Sequence, residues 1–461
     1  MAEKSTYASV IKNRGFRYLW LNQILVQLAY NALNFALIIW VFKLTNSNLA
    51  VSALILSVYL PSVIFGLLAG VFVDLVDKRK IIILVDGLLI IAFLAFIPFR
   101  HLFVVILLNA FIINSLAQFF MPSESSSIPL LISKKHLFLA NSLFSMTLYG
   151  VFMAGFIVGG PILNSFGINA VFLIGAVMLL AAFILAHNLP VIRTKTDGRL
   201  PGGIRSISSF KKLIEMTIDE AGRTYKFIKG KLSIAVAIIL MATIQGIIGI
   251  SAVLTPSYLE RYLKIHATDA SYFLIFPLGL GMVSGAYLLG RFFNRIPRRF
   301  IVLPAVLIMG VAFILIGLLP TIAQIFNSTE LPLHITKPRY FLRAPSISFW
   351  LALISYISGL CMVSVIIPCQ TILQENTPES IRGKIFATLS VIMTATAAIP
   401  VLLAGGLADI FGTQPIFIGV GALVAIIGFI VLKPHIFFRE NTLPRNCIEF
   451  LGLGHWGDKC S

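Results

Sequence analysis

Acidic side chains are scarce in this chain, with 18 Asp and Glu against 36 Lys and Arg in 461 residues, and charged residues of both signs reach only 12%. So little charge excludes a water-soluble globular domain, in which about a quarter of the residues are charged. Cysteine is nearly missing too. Cys361, Cys369, Cys447 and Cys460 are too few and too unevenly placed for a disulfide framework, and the first two sit in an apolar stretch. Catalytic signatures are absent: there is no His-Glu-x-x-His and no Gly-x-Ser-x-Gly, and no cluster of ionisable groups of the kind an active site needs. An enzyme is not expected. The run Gly452-Leu453-Gly454-His455-Trp456-Gly457 matches a dinucleotide fingerprint in its letters, but without the strand, turn and helix that give the fingerprint its meaning. His455 between Cys447 and Cys460 has the spacing of no common metal site. No cofactor and no metal are expected. The net charge of +18 would point to nucleic acid only if it formed a basic face on an aqueous domain, so nucleic acid is not expected as a partner.

What is abundant is apolar sequence: 58% of residues are hydrophobic, and the mean hydropathy is +0.96. A helix needs about 20 apolar residues to cross roughly 30 Å of hydrocarbon. Runs of that length occur at 18–43, 49–73, 81–99, 102–121, 140–164 and 169–187, then at 232–256, 270–291, 300–319, 348–371, 384–408 and 415–432. The chain is therefore predicted to be an all-α membrane protein of twelve transmembrane helices in two six-helix, pseudo-symmetric bundles. Its divisions are an N-terminal bundle (1–187), a polar, basic linker (188–231), a C-terminal bundle (232–432) and a tail (433–461). In the linker, Phe210, Leu213, Ile214, Ala221, Tyr225 and Ile228 recur at helical spacing and predict an amphipathic surface helix. Met1 to Arg17 is polar and leads into the first run without a small-residue cleavage pattern, so a first span is expected there rather than a removed signal.

With twelve spans the polar segments alternate between two sides. Lys43, Arg100, Arg261, Lys264, Lys337, Arg339 and Arg343 fall on one side, and the remaining Lys and Arg share the side of the N-terminus. The positive-inside rule then puts both termini in the cytoplasm of a multi-pass protein of the cell membrane. The halves also echo one another. Gly70, Asp74, Lys78 and Arg79 find counterparts in Gly290, Asn294, Arg298 and Arg299, Pro122 in Pro368, and Gly159-Gly160 in Gly405-Gly406. A polar stretch at about 321–347 offsets the second half. Parallel repeats around a linker are a transporter architecture, with the substrate site at the interface of the repeats.

The loop at residues 70–80, Gly70 followed by Asp74 and the basic Lys78-Arg79-Lys80, resembles the loop signature of the major facilitator superfamily, with Leu75 where Arg is usual and Asp77 where Gly is usual. The likeness continues through residues 121–137, Gly159-Gly160-Pro161 and residues 374–387, and covers most of 15–432. It is similar to the branch of macrolide-efflux and enterobactin-type siderophore exporters. The resemblance implies a conformational latch of Gly70, Asp74, Lys78, Arg79 and Arg382, in which Asp74 faces the start of the eleventh span. It also implies a hinge at Gly159, Gly160 and Pro161. The residues themselves add that Gly70 permits close helix approach and that Asp74 is an anion suited to a helix N-terminus.

Amides facing lipid are costly, so polar residues on a span should face protein or water. Gln23, Gln27, Asn31 and Asn34 share one stripe of the first span. With Asn114, Gln118, Tyr149, Gln245 and Tyr356 they predict a neutral polar cavity, suited to a lipophilic or amphiphilic cargo. No carboxylate falls at a span's centre. Glu124, in a Pro-Ser-Glu turn, then Asp86 and Glu375, all toward cytoplasmic helix ends, are the candidates for proton coupling. The expectation is a monomeric secondary transporter that exports a small molecule (a drug, a macrolide or a siderophore-like compound) by alternating access, with protons as coupling ion. The alternatives are a lipid or lysolipid flippase and a non-transporting membrane receptor.

Overall fold

A computed structural model describes residues 7–133, 136–192, 232–292, 299–328, 347–376 and 382–432. Most of the expected linker, the centre of the 321–347 stretch and the tail lie outside these residues. A short helix α1 (Tyr7–Lys12) precedes α2 (Arg14–Thr45), α3 (Asn48–Leu75), α4 (Lys78–Phe99), α5 (Phe103–Leu131), α6 (Leu137–Phe166) and α7 (Ile168–His187). After the linker come α8 (Leu232–Ser257), α9 (Phe276–Phe292), α10 (Arg299–Ser328), α11 (Ile347–Asn376), α12 (Arg382–Phe411) and α13 (Thr413–Leu432). Among the described residues eleven helices are long and apolar enough to span a membrane, and α13 adds a shorter apolar stretch, Thr413–Ile426. Directly after α8 the chain widens to a π-helix at Tyr258–Leu263, and α9 is entered through another at Ser271–Ile275.

Helix ends depart from the hydropathy pattern in two places. α5 runs past residue 121 through Pro122 and Pro129 to Leu131, so Glu124 lies inside a helix and not in a turn. Ser123 and Ser127 bond back to Phe119 O (2.7 Å) and Ser123 O (2.6 Å), keeping their hydroxyls satisfied within the polar end of the helix. α10 likewise continues through Pro320 to Ser328, taking up the first part of the expected polar stretch. Hydropathy marks where hydrocarbon ends, whereas backbone hydrogen bonding carries a helix beyond it.

The chain divides into two compact units. One comprises Met1–Asn46, Ala50–Tyr225 and Gly383–Ile399, and the other Ser47–Leu49, Lys226–Arg382 and Pro400–Ser461. In the first, α2 packs on α6 and α7, and α4 on α5 and α7. A Cβ at Gly155 would stand 2.6 Å from Asn31 Cβ, so α6 meets α2 at a distance that only glycine permits. Phe96 and Phe172 stack at 4.9 Å between α4 and α7. In the second unit α10 packs on α13 and α9 on α11. Gly281 and Gly359 face each other's helices there, and a Cβ on either would overlap the carbonyl oxygen of Tyr356 or Leu278. One residue, Gly167 (φ 76°), turns α6 into α7, and Gly412 (φ 84°) turns α12 into α13. Both adopt a backbone that side chains resist, at matching places in the two halves.

Large apolar side chains point outward: Met146 and Ile410 are each 75% exposed, and Leu84, Ile91 and Val104 lie open beside them in character. Asn22, Gln23 and Asn31 are buried. Apolar outside and amide inside is the distribution a lipid solvent selects.

Candidate functional site

Three polar groupings are built on these helices. The first is the loop between α3 and α4. Asp77, in place of the usual Gly, caps α4 by accepting from Arg79 N at 3.1 Å. Lys78 is fully buried, and its Nζ donates to Val73 O (3.3 Å) in the last turn of α3. Arg79 Nη2 donates to His187 O (2.6 Å), the final residue of α7. Both cations thus meet the carbonyl-rich C-terminus of a helix, where positive charge is favourable. Among the described residues no atom from outside its own helix backbone lies within 4 Å of where a Gly70 Cβ would stand. Asp74 and Arg382 are placed as helical residues at the end of α3 and the start of α12, and their side chains lie outside what is described.

The second grouping gathers amides and phenols between α2, α3 and α5. Tyr30 Oη donates to Asn114 Oδ1, and Tyr30 also bonds Asn34 and lies within electrostatic reach of Tyr59. Asn114 Nδ2 returns to Ala110 O at 2.8 Å. Gln118 follows one turn on, its Oε1 beside Gly66. Phe65 adjoins Phe111 (6.3 Å) and Phe119 (6.2 Å), giving the amides an aromatic border. Asn34, Asn114 and Gln118 are thereby brought together, whereas Gln23 and Asn31 turn toward α6: Gln23 Nε2 donates to Phe144 O (3.4 Å), and Asn31 Nδ2 bonds back to Gln27 O (2.7 Å) against Gly155. Tyr30 and Tyr59 were not among the sequence candidates. Tyr30 falls between Gln27 and Asn34 at helical spacing, a signal that a stripe of amides alone leaves out. In the other unit Tyr356 Oη and Ser284 Oγ lie 3.0 Å apart across α11 and α9. Gln245 is half-buried in α8. The Tyr149 side chain is not among those described. Gly159 and Gly160 are buried inside a continuous α6 that includes Pro161, and a Gly159 Cβ would stand 3.1 Å from Ala32 O.

The third grouping holds two carboxyls. Asp86, in α4, is fully buried, and its Oδ2 accepts from Asn22 Nδ2 at 2.7 Å, while the same amide nitrogen donates to Ala182 O of α7 at 2.9 Å. Glu124 of α5 is 2% exposed and feels Asp86 electrostatically. Asn22 Oδ1, Asp86 Oδ1 and Glu124 Oε1 are buried with no hydrogen-bond donor among the described residues. Orphaned buried acceptors of this kind call for an explanation in ligand, ion or proton. Asn22 lies beside the Gln23, Gln27, Asn31 and Asn34 stripe, and only the tertiary packing makes it the partner of Asp86. Glu375 is placed in α12's predecessor α11, its side chain undescribed.

Known proteins share this fold. A family model described as Major Facilitator Superfamily matches residues 19–330 and 339–449. The chain is similar to Macrolide efflux protein A of Streptococcus pyogenes, 22% identical over 437 residues that cover 90% of this chain and 94% of that protein. It is also similar to an uncharacterized MFS-type transporter, YkuC, of Bacillus subtilis, 23% identical over 67% of this chain and 71% of that one. Among solved structures, an auto-inhibited POT family peptide transporter superposes with a TM-score of 0.67 at 13% identity, over 94% of this chain and 99% of that one. The nucleoside transporter NupG follows with 0.66 at 13% identity, over 90% and 98%. A multi-pass helical fold shared with solved transporters and a family model matched along most of the sequence lead to one assignment: the chain belongs to the Major Facilitator Superfamily and is a membrane transporter.

Proposed function

We propose that the chain exports a lipophilic or amphiphilic small molecule by alternating access, driven by protons. The observation that carries this reading is the Tyr30, Asn34, Asn114 and Gln118 grouping, which offers hydrogen bonds without net charge beside aromatic rings. Such a surface suits a large, mostly apolar cargo with a few polar groups better than an ion or a sugar phosphate. The similarity to a macrolide efflux protein supports the same class of cargo. In this reading two six-helix bundles, 1–187 and 232–432, rock about the site as a monomer, with both termini cytoplasmic in the cell membrane, and Asp74 latches the cytoplasmic side.

Coupling is assigned to Glu124 and Asp86. Neither carboxyl has a cationic partner among the described residues, so each can change protonation without breaking an ion pair. The test is proton-driven uptake into inside-out vesicles of the compounds that a dye and antibiotic panel identifies as cargo. Glu124→Gln is expected to abolish accumulation against a gradient while leaving equilibrium exchange intact. Full uphill transport by Glu124→Gln, Asp86→Asn and Glu375→Gln alike would remove the coupling assignment. A panel in which no compound changes its cellular accumulation would remove the exporter reading.

A further inference from the structure

Every membrane helix turns apolar side chains to lipid, so an exposed apolar stripe is not in itself a site. The stripes on α4 and α7, both in the first compact unit, are set apart by how they end. On α4, Lys80, Leu84 and Leu88 follow one another on a single exposed face that continues to Ile91. α7 runs the opposite way beside it, since Phe183 lies against Gly87 and Phe172 stacks on Phe96. Its exposed face is formed by Leu180, Ile184 and His187. A Cβ at Gly87 would stand 3.4 Å from the Phe183 ring, and these two residues are the sequence neighbours of Leu88 and Ile184. The two stripes therefore border one seam.

Both stripes run out at a pair of cations. Arg79 Nη2 donates to His187 O (2.6 Å), which pins the guanidinium across the end of the seam. Arg79 Nε is buried with no acceptor among the described residues, and a buried N–H of that kind asks for one. Lys80 beside it is exposed and has no partner for its side chain among those residues. Asp77, the acid nearest in sequence, is engaged in capping α4. Arg matches a phosphate through paired N–H bonds, and Lys adds a point charge. From Lys80 to Ile91 the stripe rises about 16 Å, roughly half of a 30 Å hydrocarbon core and so the depth of one leaflet.

We propose that the seam between α4 and α7 binds one anionic diacyl phospholipid, its phosphate on Arg79 and Lys80 and its chains along the two apolar stripes. A zwitterionic lipid offers the same chains without the net charge, so the preference for an anionic head is what the two cations add. The site lies within one compact unit and does not depend on cargo or coupling.

The experiment is native mass spectrometry of the full chain in detergent, titrated with phosphatidylglycerol or with phosphatidylcholine of the same acyl chains. The parent is expected to bind the first phosphatidylglycerol about tenfold or more tighter than phosphatidylcholine, since each Lys or Arg near a membrane surface is worth about fivefold for an anionic lipid. Arg79→Gln and Lys80→Gln should each lower that preference by about fivefold. Lys12→Gln, an exposed position on α1 against α2 and α6, should leave it unchanged. If Arg79→Gln does not fold, Lys80→Gln decides alone, because its side chain makes no bond that holds the helices together. Equal binding of the two lipids by the parent, a preference in Lys80→Gln within about twofold of the parent, or an equal loss in Lys12→Gln would reduce the seam to ordinary lipid-facing surface and overturn the proposal. Displacement of phosphatidylglycerol by millimolar inorganic phosphate would make it a site for a free anion and overturn it as well.

Discussion

At the scale of the residue, the telling side chains are those whose partners lie far away in the chain. Asn22 divides its amide nitrogen between Asp86 Oδ2 and Ala182 O, so Asn22→Ala leaves a buried carboxylate oxygen and a buried carbonyl without that donor. Loss of stability of about 1–3 kcal/mol is expected, read as a lower melting temperature in detergent. Adding Asp86→Ala should cost less on the Asn22→Ala background than on the parent, because the two act as one unit. Equal, additive losses would show that the pair is not coupled. Tyr30→Phe removes only the hydroxyl that reaches Asn114 and Asn34. It is expected to leave folding nearly intact, at about 0.5–1.5 kcal/mol, and to weaken cargo binding, which a titration with the compound found in the panel would measure. The amides of the first span were legible because polar residues among apolar ones stand out. Their division between α6, α4 and the Tyr30 grouping was not, since a stripe drawn on one helix does not say which neighbours surround it.

At the scale of the element, small residues decide which helices touch. Gly281 and Gly359 bring α9 and α11 so close that any Cβ would meet backbone, which has nowhere to move. Gly281→Ala is therefore expected to destabilise the protein by about 1–3 kcal/mol. Gly246→Ala is the control, because among the described residues no atom from outside its own helix backbone stands within 4 Å of its Cβ position, and there the melting temperature should hold or rise. Similar losses at both would mean that helix flexibility, not close packing, is what these glycines supply. Helix existence was readable from apolar runs to within a few residues. Helix ends were not, for α5 and α10 both run on through prolines into polar sequence. Asp77 illustrates the gap: in the pattern it reads as a departure, and in the structure it is the cap of α4.

At the scale of the whole molecule, sidedness and the latch are the properties to test. Single cysteines at positions 329–346 should react with an impermeant reagent from outside the cell, and those at 195–230 should not. Reaction of both sets from one side would end the two-bundle topology. Asp74→Asn, which removes the charge and keeps the size, should impair transport while insertion into the membrane is unchanged. Wild-type flux would leave the α3–α4 loop with a purely structural role, which its contacts to Val73 and His187 already provide. The sequence by itself determined the membrane class, the number of long apolar runs, the echo between halves and the family, because each depends on composition or on spacing along one dimension. Only the tertiary structure decided that Asn22 serves Asp86 and that Tyr30 joins Asn34 to Asn114. Those pairings join residues 64 and 84 positions apart, and what selects them is which helix faces meet in space, a matter of packing that no local pattern records.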